Sequence, residues 1–479
     1  MVRARGAVAL ALGGAVALWL PAFRYRIDAA TCGSWPAPLG AGAGFALAYV
    51  LGVALLSLAW LRAMRVEWTL GRALLAGALV HAVAMVAPPF ASNDPLFYAA
   101  IGRSMARFHA AASTPLSLVL PHADRFWTIL PNDAWRGGTS PYGAAFNQIC
   151  RLIATIGGDD LTLQLRLFQG LNLAVLVAAA ALAGRAFGAR AAALLLFAPV
   201  AVIDGTVNPH NDALIALAVA AFALALARTP RREGAGLVAL VAALFVKLTA
   251  ALVVAFDLLR LALEPFAARL RARTVVAAGI AAAVTGVAAL VIAPRVWPPL
   301  HAFTAILGDP AESSPQFSRS WEGLPRAFLV YVVHWPTPSW IIGLVFRAAG
   351  GVWILWCAFR AARDRAVDER APLAWAATLL FVYYLCLHAF LQSWYLLPLL
   401  PLATQLPRFA ERGFAVFIIC LAMYYALAIP LDCDLRPVVI GAKEFAEAAL
   451  VVLPAFFTLL VGWRDAKARA SGGTSPRAA

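Results

Sequence analysis

Residues 70–110 read LGRALLAGALVHAVAMVAPPFASNDPLFYAAIGRSMARFHA. The first half, to Phe90, is an apolar run about as long as a helix needs to cross a hydrocarbon core of roughly 30 Å. Two prolines end it, and Asn93-Asp94-Pro95 opens a second pattern. Pro95 suits the first turn of a helix, and Asp94 before it suits the N-cap. Leu96, Phe97, Ala100, Ile101, Met105 and Phe108 then recur at helical spacing, with Arg103 and Arg107 off that face, so this helix is expected to lie in the membrane interface. A carboxylate thus stands where a span leaves the bilayer. It is either a cap or a reactive group, because apolar surroundings can raise its proton affinity toward the working pH of a general base.

The same kind of apolar run recurs along the chain. Hydrophobic residues make up 63% and charged residues 13%, and the mean hydropathy is +0.80. Candidate spans fall at 7–23, 41–61, 70–90, 162–183, 190–204, 212–227, 235–246, 248–262, 274–293, 340–360, 372–390, 395–406, 413–430 and 443–462. Such unbroken runs are too long for barrel strands, and only helices or closed barrels satisfy their own backbone in lipid. The expected class is an all-α polytopic integral membrane protein of about 11–14 transmembrane helices, with interface helices in the first long extracytoplasmic loop.

The formal charge of +15 is spread over short loops, as the positive-inside rule requires, and does not indicate nucleic acid. These loop arginines fall on one side only if 235–262 turns back near Lys247, which also puts both termini in the cytoplasm. On this reading residues 1–462 form one transmembrane domain, with 91–161 and 294–338 as long extracytoplasmic segments and 463–479 as a disordered tail. The basic-then-apolar N-terminus lacks a convincing cleavage site and is expected to stay as the first span. Six cysteines show no metal or redox spacing; Cys32 and Cys433 fall in outer loops, where pairing is left open.

Several segments carry polar groups at outer span ends. WRGGTSPYGAAFNQICRL (135–152) combines a glycine turn with the hydroxyls of Ser140 and Tyr142 and the cations Arg136 and Arg151. It is either a turn into an interface helix or part of a pocket. GTVNPHNDALIALAVAAFALALA (205–227) places Asn208, His210, Asn211 and Asp212 at the mouth of a span: Asn211 or Asp212 either caps that helix or, since a His and an Asp at membrane depth are costly, belongs to a functional site. Lys247 is a lone ammonium in an apolar run. It either snorkels to an interface or, if the helix breaks there, faces the outer pocket and meets a phosphate. SSPQFSRSWEGLPRAF (313–328) offers Arg319, and HAFLQSWYLLPLLP (388–401) offers His388, Gln392, Trp394 and Tyr395. An aromatic belt accounts for the last two.

Taken in order, Asn-Asp-Pro-x-x-Tyr-x-x-x-Gly-Arg from Asn93, then WRGGTSPYGAAF, NPHNDALIALA, LVAALFVKLTAAL and QSWYLLPLLPLA resemble the membrane glycosyltransferases of the C-type fold. Within them the chain is most similar to bacterial mannopyranosyltransferases that use a polyprenyl-phosphate sugar. The resemblance covers roughly residues 90–405. It implies an inverting transfer of a hexose, mannose in those relatives, from a polyprenyl-phosphate donor to a glycan or glycolipid acceptor at the extracytoplasmic face of the cell membrane, with membrane lipids as surroundings and no metal or cofactor. It places the catalytic acidic residue on Asp94. Substrate binding falls to Tyr98, Arg103, Ser140, Tyr142, His210, Asn211, Asp212, Lys247, Arg319 and Gln392. Ala144 after SPYG and Ser393 after Gln392 depart from the prolines usual in relatives, which bears on acceptor specificity. The rival reading is a transporter or flippase of a lipid-linked glycan. It would need polar groups deep in several spans, whereas these crowd at span ends, and no repeated halves are visible.

Overall fold

The computed structural model describes residues 2–24, 41–130, 133–228, 232–264, 339–388, 391–434 and 440–471, with isolated positions between 321 and 334. The elements in chain order are α1 (Val2–Ala17), α2 (Trp19–Arg24), α3 (Ala41–Ala63), α4 (Leu70–Ala84), α5 (Asp94–Arg107), α6 (Arg125–Thr128), α7 (Asp133–Arg136), α8 (Ala144–Gly157) and α9 (Leu161–Phe187). There follow α10 (Ala189–Leu196), a π-helical turn (Ala201–Val207), α11 (Asp212–Ala227), α12 (Glu233–Leu244), α13 (Ala251–Leu263) and α14 (Ser339–Asp364). The chain continues with α15 (Ala371–Val382), a π-helical turn (Tyr383–Leu387), a 3₁₀-helix (Ser393–Gln405), α16 (Arg408–Asp434) and α17 (Ile440–Ser471).

The protein is an all-α polytopic membrane protein. Among the described residues six helices are long and apolar enough to cross a bilayer, within α1–α2, α3, α9, α14, α16 and α17. Shorter apolar helices Leu70–Ala84, Asp212–Ala227, Glu233–Leu244 and Ala371–Leu387 pack among them. Small residues let spans approach closely: a Cβ on Gly14 of α1 would stand 2.9 Å from the Gly52 carbonyl oxygen of α3. The expected span 274–293, nearly all of 294–338, Arg319 and Cys32 lie outside the described residues, as does the side chain of Cys433. The last helix runs on to Ser471, past the boundary expected at 462.

Two features of the bundle position the site. The expected span 190–204 is bent by 67° between α10 and the π-helical turn. A bend frees backbone groups that lipid cannot satisfy, and α4 supplies a partner: His81 Nε2 lies 2.8 Å from the Leu196 carbonyl oxygen and its Nδ1 2.6 Å from Thr206 Oγ1. The second feature is the segment around Lys247. As one straight helix it would hold Glu233 and Arg260 about 40 Å apart, yet Arg260 Nη2 and Glu233 Oε2 are 2.6 Å apart. Helices α12 and α13 therefore form an antiparallel hairpin, as the loop charges required, with Lys247 extended at its tip.

The base of that hairpin is a buried ion network. Arg260 reaches Asp257 and Glu264 at 2.6 Å each besides Glu233, and Arg365, just beyond α14, meets Glu233 at 3.0 Å and also Glu264.

Helix α5 departs from expectation. Pro95 and Phe97–Met105 are buried, packed in protein against α6, α8 and α9. The amphipathic helix with an open face in this segment is α8, whose Leu152 and Ile156 are both 59% exposed.

Candidate active site

Asp94 is the first residue of α5, and Asn93 holds the capping position. The Asp94 carboxylate is no cap. Its Oδ2 accepts from the Tyr98 hydroxyl at 3.4 Å, one helical turn on, and stands 3.3 Å from His210 Nδ1. Burial pushes its proton affinity up, but the neighbouring His210, Lys247 and Tyr98 hydroxyl outweigh burial and hold it below the usual carboxylate range. The expected rise is thus reversed, because the pocket supplies donors and cations that the local sequence does not contain.

His210 comes from the short turn between the π-helical segment and α11 and is fully buried. Its ring stacks on Trp394, with centroids 3.7 Å apart and planes 12° from parallel. Two residues on, Asp212 opens α11 and its Oδ2 takes Lys247 Nζ at 2.7 Å. Lys247 also lies over the Tyr395 ring, 4.5 Å from its centroid. The ammonium is therefore in the pocket, not snorkelled to an interface. Both polar side-chain atoms of Asn211, the second carboxylate oxygen of Asp212, His210 Nε2 and Trp394 Nε1 are buried without a hydrogen-bond partner among the described residues. Such groups are costly to leave unmatched, and together they form an array suited to the hydroxyls of a sugar.

The hairpin tip is held by the Gly-rich loop of the first polar segment. Gly143 N–H donates to the Val246 carbonyl at 3.0 Å and Ala145 N–H to that of Phe245 at 2.9 Å. Only glycine fits there, since a Cβ on Gly143 would sit 2.2 Å from the Phe245 oxygen. Ser140 keeps this loop in shape: its hydroxyl donates to Asn147 Oδ1 at 2.6 Å, and Asn147 Nδ2 returns to the Tyr142 carbonyl at 3.1 Å. Tyr142 packs edge-on against Tyr98, centroids 5.1 Å apart.

The structure thus gathers Asp94, Tyr98, Tyr142, His210, Asn211, Asp212 and Lys247. Gln392 is buried at the N-terminal end of the 3₁₀-helix that carries Trp394 and Tyr395. Ser140 lies one layer back. Arg103 is elsewhere, about 13 Å along α5 from Asp94 by helical rise. It pairs with Asp124 at 2.8 Å and Asp159 at 2.5 Å and covers the Phe126 ring, so it ties the polar segment together and does not enter the pocket. Trp394 and Tyr395, which an aromatic belt accounted for in the sequence, are the reverse case. Their place beside Gln392, at the end of an apolar run, was the available signal.

A family model described as alpha-(1->6)-mannopyranosyltransferase, N-terminal domain, matches residues 2–263, more than half of the chain. The chain belongs to that family. A second model, glycosyltransferase family 87, matches residues 151–387. No curated protein and no solved structure matches the chain. This membrane glycosyltransferase carries Asp94, Asp212 and Lys247 inside the first matched region and Asp212 and Lys247 inside both. Gln392, Trp394 and Tyr395 of the transferase lie beyond either.

Proposed function

We propose that the protein transfers a hexose, mannose by its family, from a polyprenyl-phosphate sugar to an acceptor hydroxyl at the extracytoplasmic face of the cell membrane, with inversion and with Asp94 as general base. The observation that carries this reading is the convergence of two carboxylates, the half-buried Asp94 and the buried Asp212, one lysine and an array of unmatched polar atoms at the joined ends of α5, α11 and the α12–α13 hairpin. Asp94 takes the proton of the acceptor hydroxyl as its oxygen bonds to the anomeric carbon. The bond from that carbon to the phosphate oxygen breaks, and polyprenyl phosphate leaves with the electron pair. Single displacement turns a β-linked donor into an α-linked product, through an oxocarbenium-like transition state.

The donor is a phosphodiester with one negative charge, and the leaving phosphate gains a second. Lys247 is the cation at hand to stabilise it, and it serves without a divalent metal. His210, Asn211 and Asp212 hold the sugar, with Gln392 beside them, Trp394 stacked behind His210, and Tyr98 and Tyr142 lining the approach to Asp94. Arg319 is proposed only as a second cation for the phosphate. The acceptor is a glycan or glycolipid. Charge supports this side of the membrane: Arg232, Arg363, Arg365 and Arg370 stand at the hairpin base and its neighbouring helix ends, which the positive-inside rule assigns to the cytoplasm, with the Lys247 tip then outward.

The test is transfer of radiolabelled mannose from synthetic polyprenyl-phosphate mannose in membranes, native against Asp94→Asn. A fall of about a hundredfold or more is the size expected for loss of a general base. Equal transfer by the two proteins would remove Asp94 from the chemistry, and transfer by neither would remove mannose as the sugar.

A further inference from the structure

Helix α9 crosses the bundle with Arg166, Gln169 and Asn172 spaced three residues apart, on one face by helical geometry. None of the three is among the side chains gathered in the pocket. Arg166 donates to the carbonyls of Met85, Val86 (2.8 Å) and Ala87 (3.1 Å) and to Gln169 Oε1 (2.9 Å). Gln169 Nε2 donates at 2.9 Å both to the Ala87 carbonyl and to that of Val207. Asn172 Nδ2 donates at 2.8 Å to the carbonyls of Gly205 and His210. The first set of carbonyls belongs to the segment that leads out of α4 to Asp94, and the second to the π-helical turn that leads to His210.

The two segments are also joined directly. Asn208 Oδ1 accepts from the Phe90 and Ala91 N–H groups at 2.9 Å each, while its Nδ2 donates to the Ile203 carbonyl at 3.2 Å. Gln169 and Asn208 are both fully buried, so these bonds lie where an unmatched backbone group finds no water. Each of the two side chains holds both segments at once. The backbone leading to Asp94 is therefore fixed to the backbone leading to His210 on both sides, four residues before Asp94 and two before His210.

We infer that Gln169 and Asn208 are positioning residues that set the approach of the Asp94 carboxylate to His210, and hence the rate of the chemical step rather than the binding of the donor. The inference rests on the reading of Asp94 as the general base. Such a brace matters because a misplacement of about 1 Å at a reacting group can cost on the order of a hundredfold in rate.

The experiment uses the full-length protein in lipid nanodiscs, comparing native protein with Gln169→Met, Asn208→Leu and Asn208→Asp. Amide hydrogen exchange in residues 86–94 and the kinetics of sugar transfer from polyprenyl-phosphate mannose are measured on each. In the two apolar variants exchange in 86–94 should rise about tenfold or more, and kcat should fall about ten- to a hundredfold with KM within about threefold. Asn208→Asp keeps an oxygen that accepts from both amides but loses the bond to the Ile203 carbonyl, so it should keep more of the protection and of kcat than Asn208→Leu. Where an apolar variant does not fold, Gln169→Asn takes its place: it stays polar but is one methylene too short to reach both carbonyls, and the same outcomes apply. Native kcat in a folded Asn208→Leu or Gln169 variant, or a loss carried by KM alone, overturns the inference. If the native protein moves no sugar from this donor, mannose falls as the sugar, and the exchange data still decide whether the brace exists.

Discussion

Replacing Gly143 by alanine tests whether the hairpin tip must sit where the loop holds it. Gly143 has φ of −70° and ψ of 164°, which alanine adopts freely, so the substitution adds a methyl group without backbone strain. That methyl would lie 2.2 Å from the Phe245 oxygen, 2.3 Å from its carbonyl carbon and 2.8 Å from its Cα. Ordinary contact needs about 3.4 Å or more, so loop and hairpin must part by about 1 Å, and backbone has no rotamer by which to yield. Parting strains three hydrogen bonds, Gly143 N–H to Val246 and the Ala145 and Phe146 N–H groups to Phe245, worth roughly 1 kcal/mol each. The expected loss of stability is therefore about 3 kcal/mol, modest for a protein of this size. Lys247, one residue past Val246, moves with the hairpin, and a shift of about 1 Å in a catalytic group lowers the rate on the order of a hundredfold. The assay is sugar transfer by folded protein, with thermal unfolding as control. Native turnover in Gly143→Ala would refute the claim that this contact positions Lys247.

Two further outcomes follow from charge. Arg260→Met leaves Asp257 without the guanidinium it shares with Glu233 and Glu264; breaking a buried network from one side should cost about 3–5 kcal/mol, and a variant that unfolds at the native temperature would show the network to be dispensable. The second outcome is a split between two pH profiles. As the proposed general base Asp94 must be deprotonated, so activity should be lost as pH falls through its proton affinity. That affinity is set by burial, His210, Lys247 and Tyr98, with Asp212, Tyr142 and Tyr395 also within electrostatic reach. In the free enzyme it lies below the usual carboxylate range, which places the acid limb of kcat/KM there. A bound phosphodiester adds negative charge beside Lys247, raises the affinity, and moves the acid limb of kcat to higher pH. Coincident limbs would place the donor's phosphate away from Asp94.

The spans were legible because lipid imposes one rule on them, and the break at Lys247 was legible from loop arginines alone. Asp94, His210 and Asp212 stood out because ionisable groups at a span mouth have few structural reasons to be there. What the sequence did not carry was pairing between distant segments. Nothing local to Lys247 names Asp212 as its partner, and nothing local to Arg103 names Asp159. The spacing of Arg103 on α5 suited a membrane-surface cation equally well. Arg166, Gln169 and Asn172 escaped notice inside 162–183, since polar residues three apart in an apolar span point to a partner without naming it. Trp394 and Tyr395 were missed for the opposite reason: an interface belt accounts for aromatics at a span end before any pocket is considered.

The residues of the pocket share one backbone circumstance. Asp94 follows the break after α4, His210 and Asp212 follow the π-helical turn, Lys247 sits between α12 and α13, and Trp394 lies in the first turn of the 3₁₀-helix after the π turn at Tyr383–Leu387. A continuous membrane helix satisfies its own backbone and projects side chains sideways into its neighbours. A broken one ends inside the protein and can aim a side chain along the axis of the bundle, but it exposes N–H and C=O groups that lipid leaves unmatched. The first three of these breaks come with polar partners for those groups: His81 for Leu196, Gln169 for Ala87 and Val207, Asn208 for Phe90 and Ala91, and the 143–145 backbone for Phe245 and Val246. The polar side chains buried outside the pocket are thus the condition for having a pocket at all. Substitutions at these supporting positions should therefore slow transfer in proportion to how far they free a break, even where they touch neither donor nor acceptor.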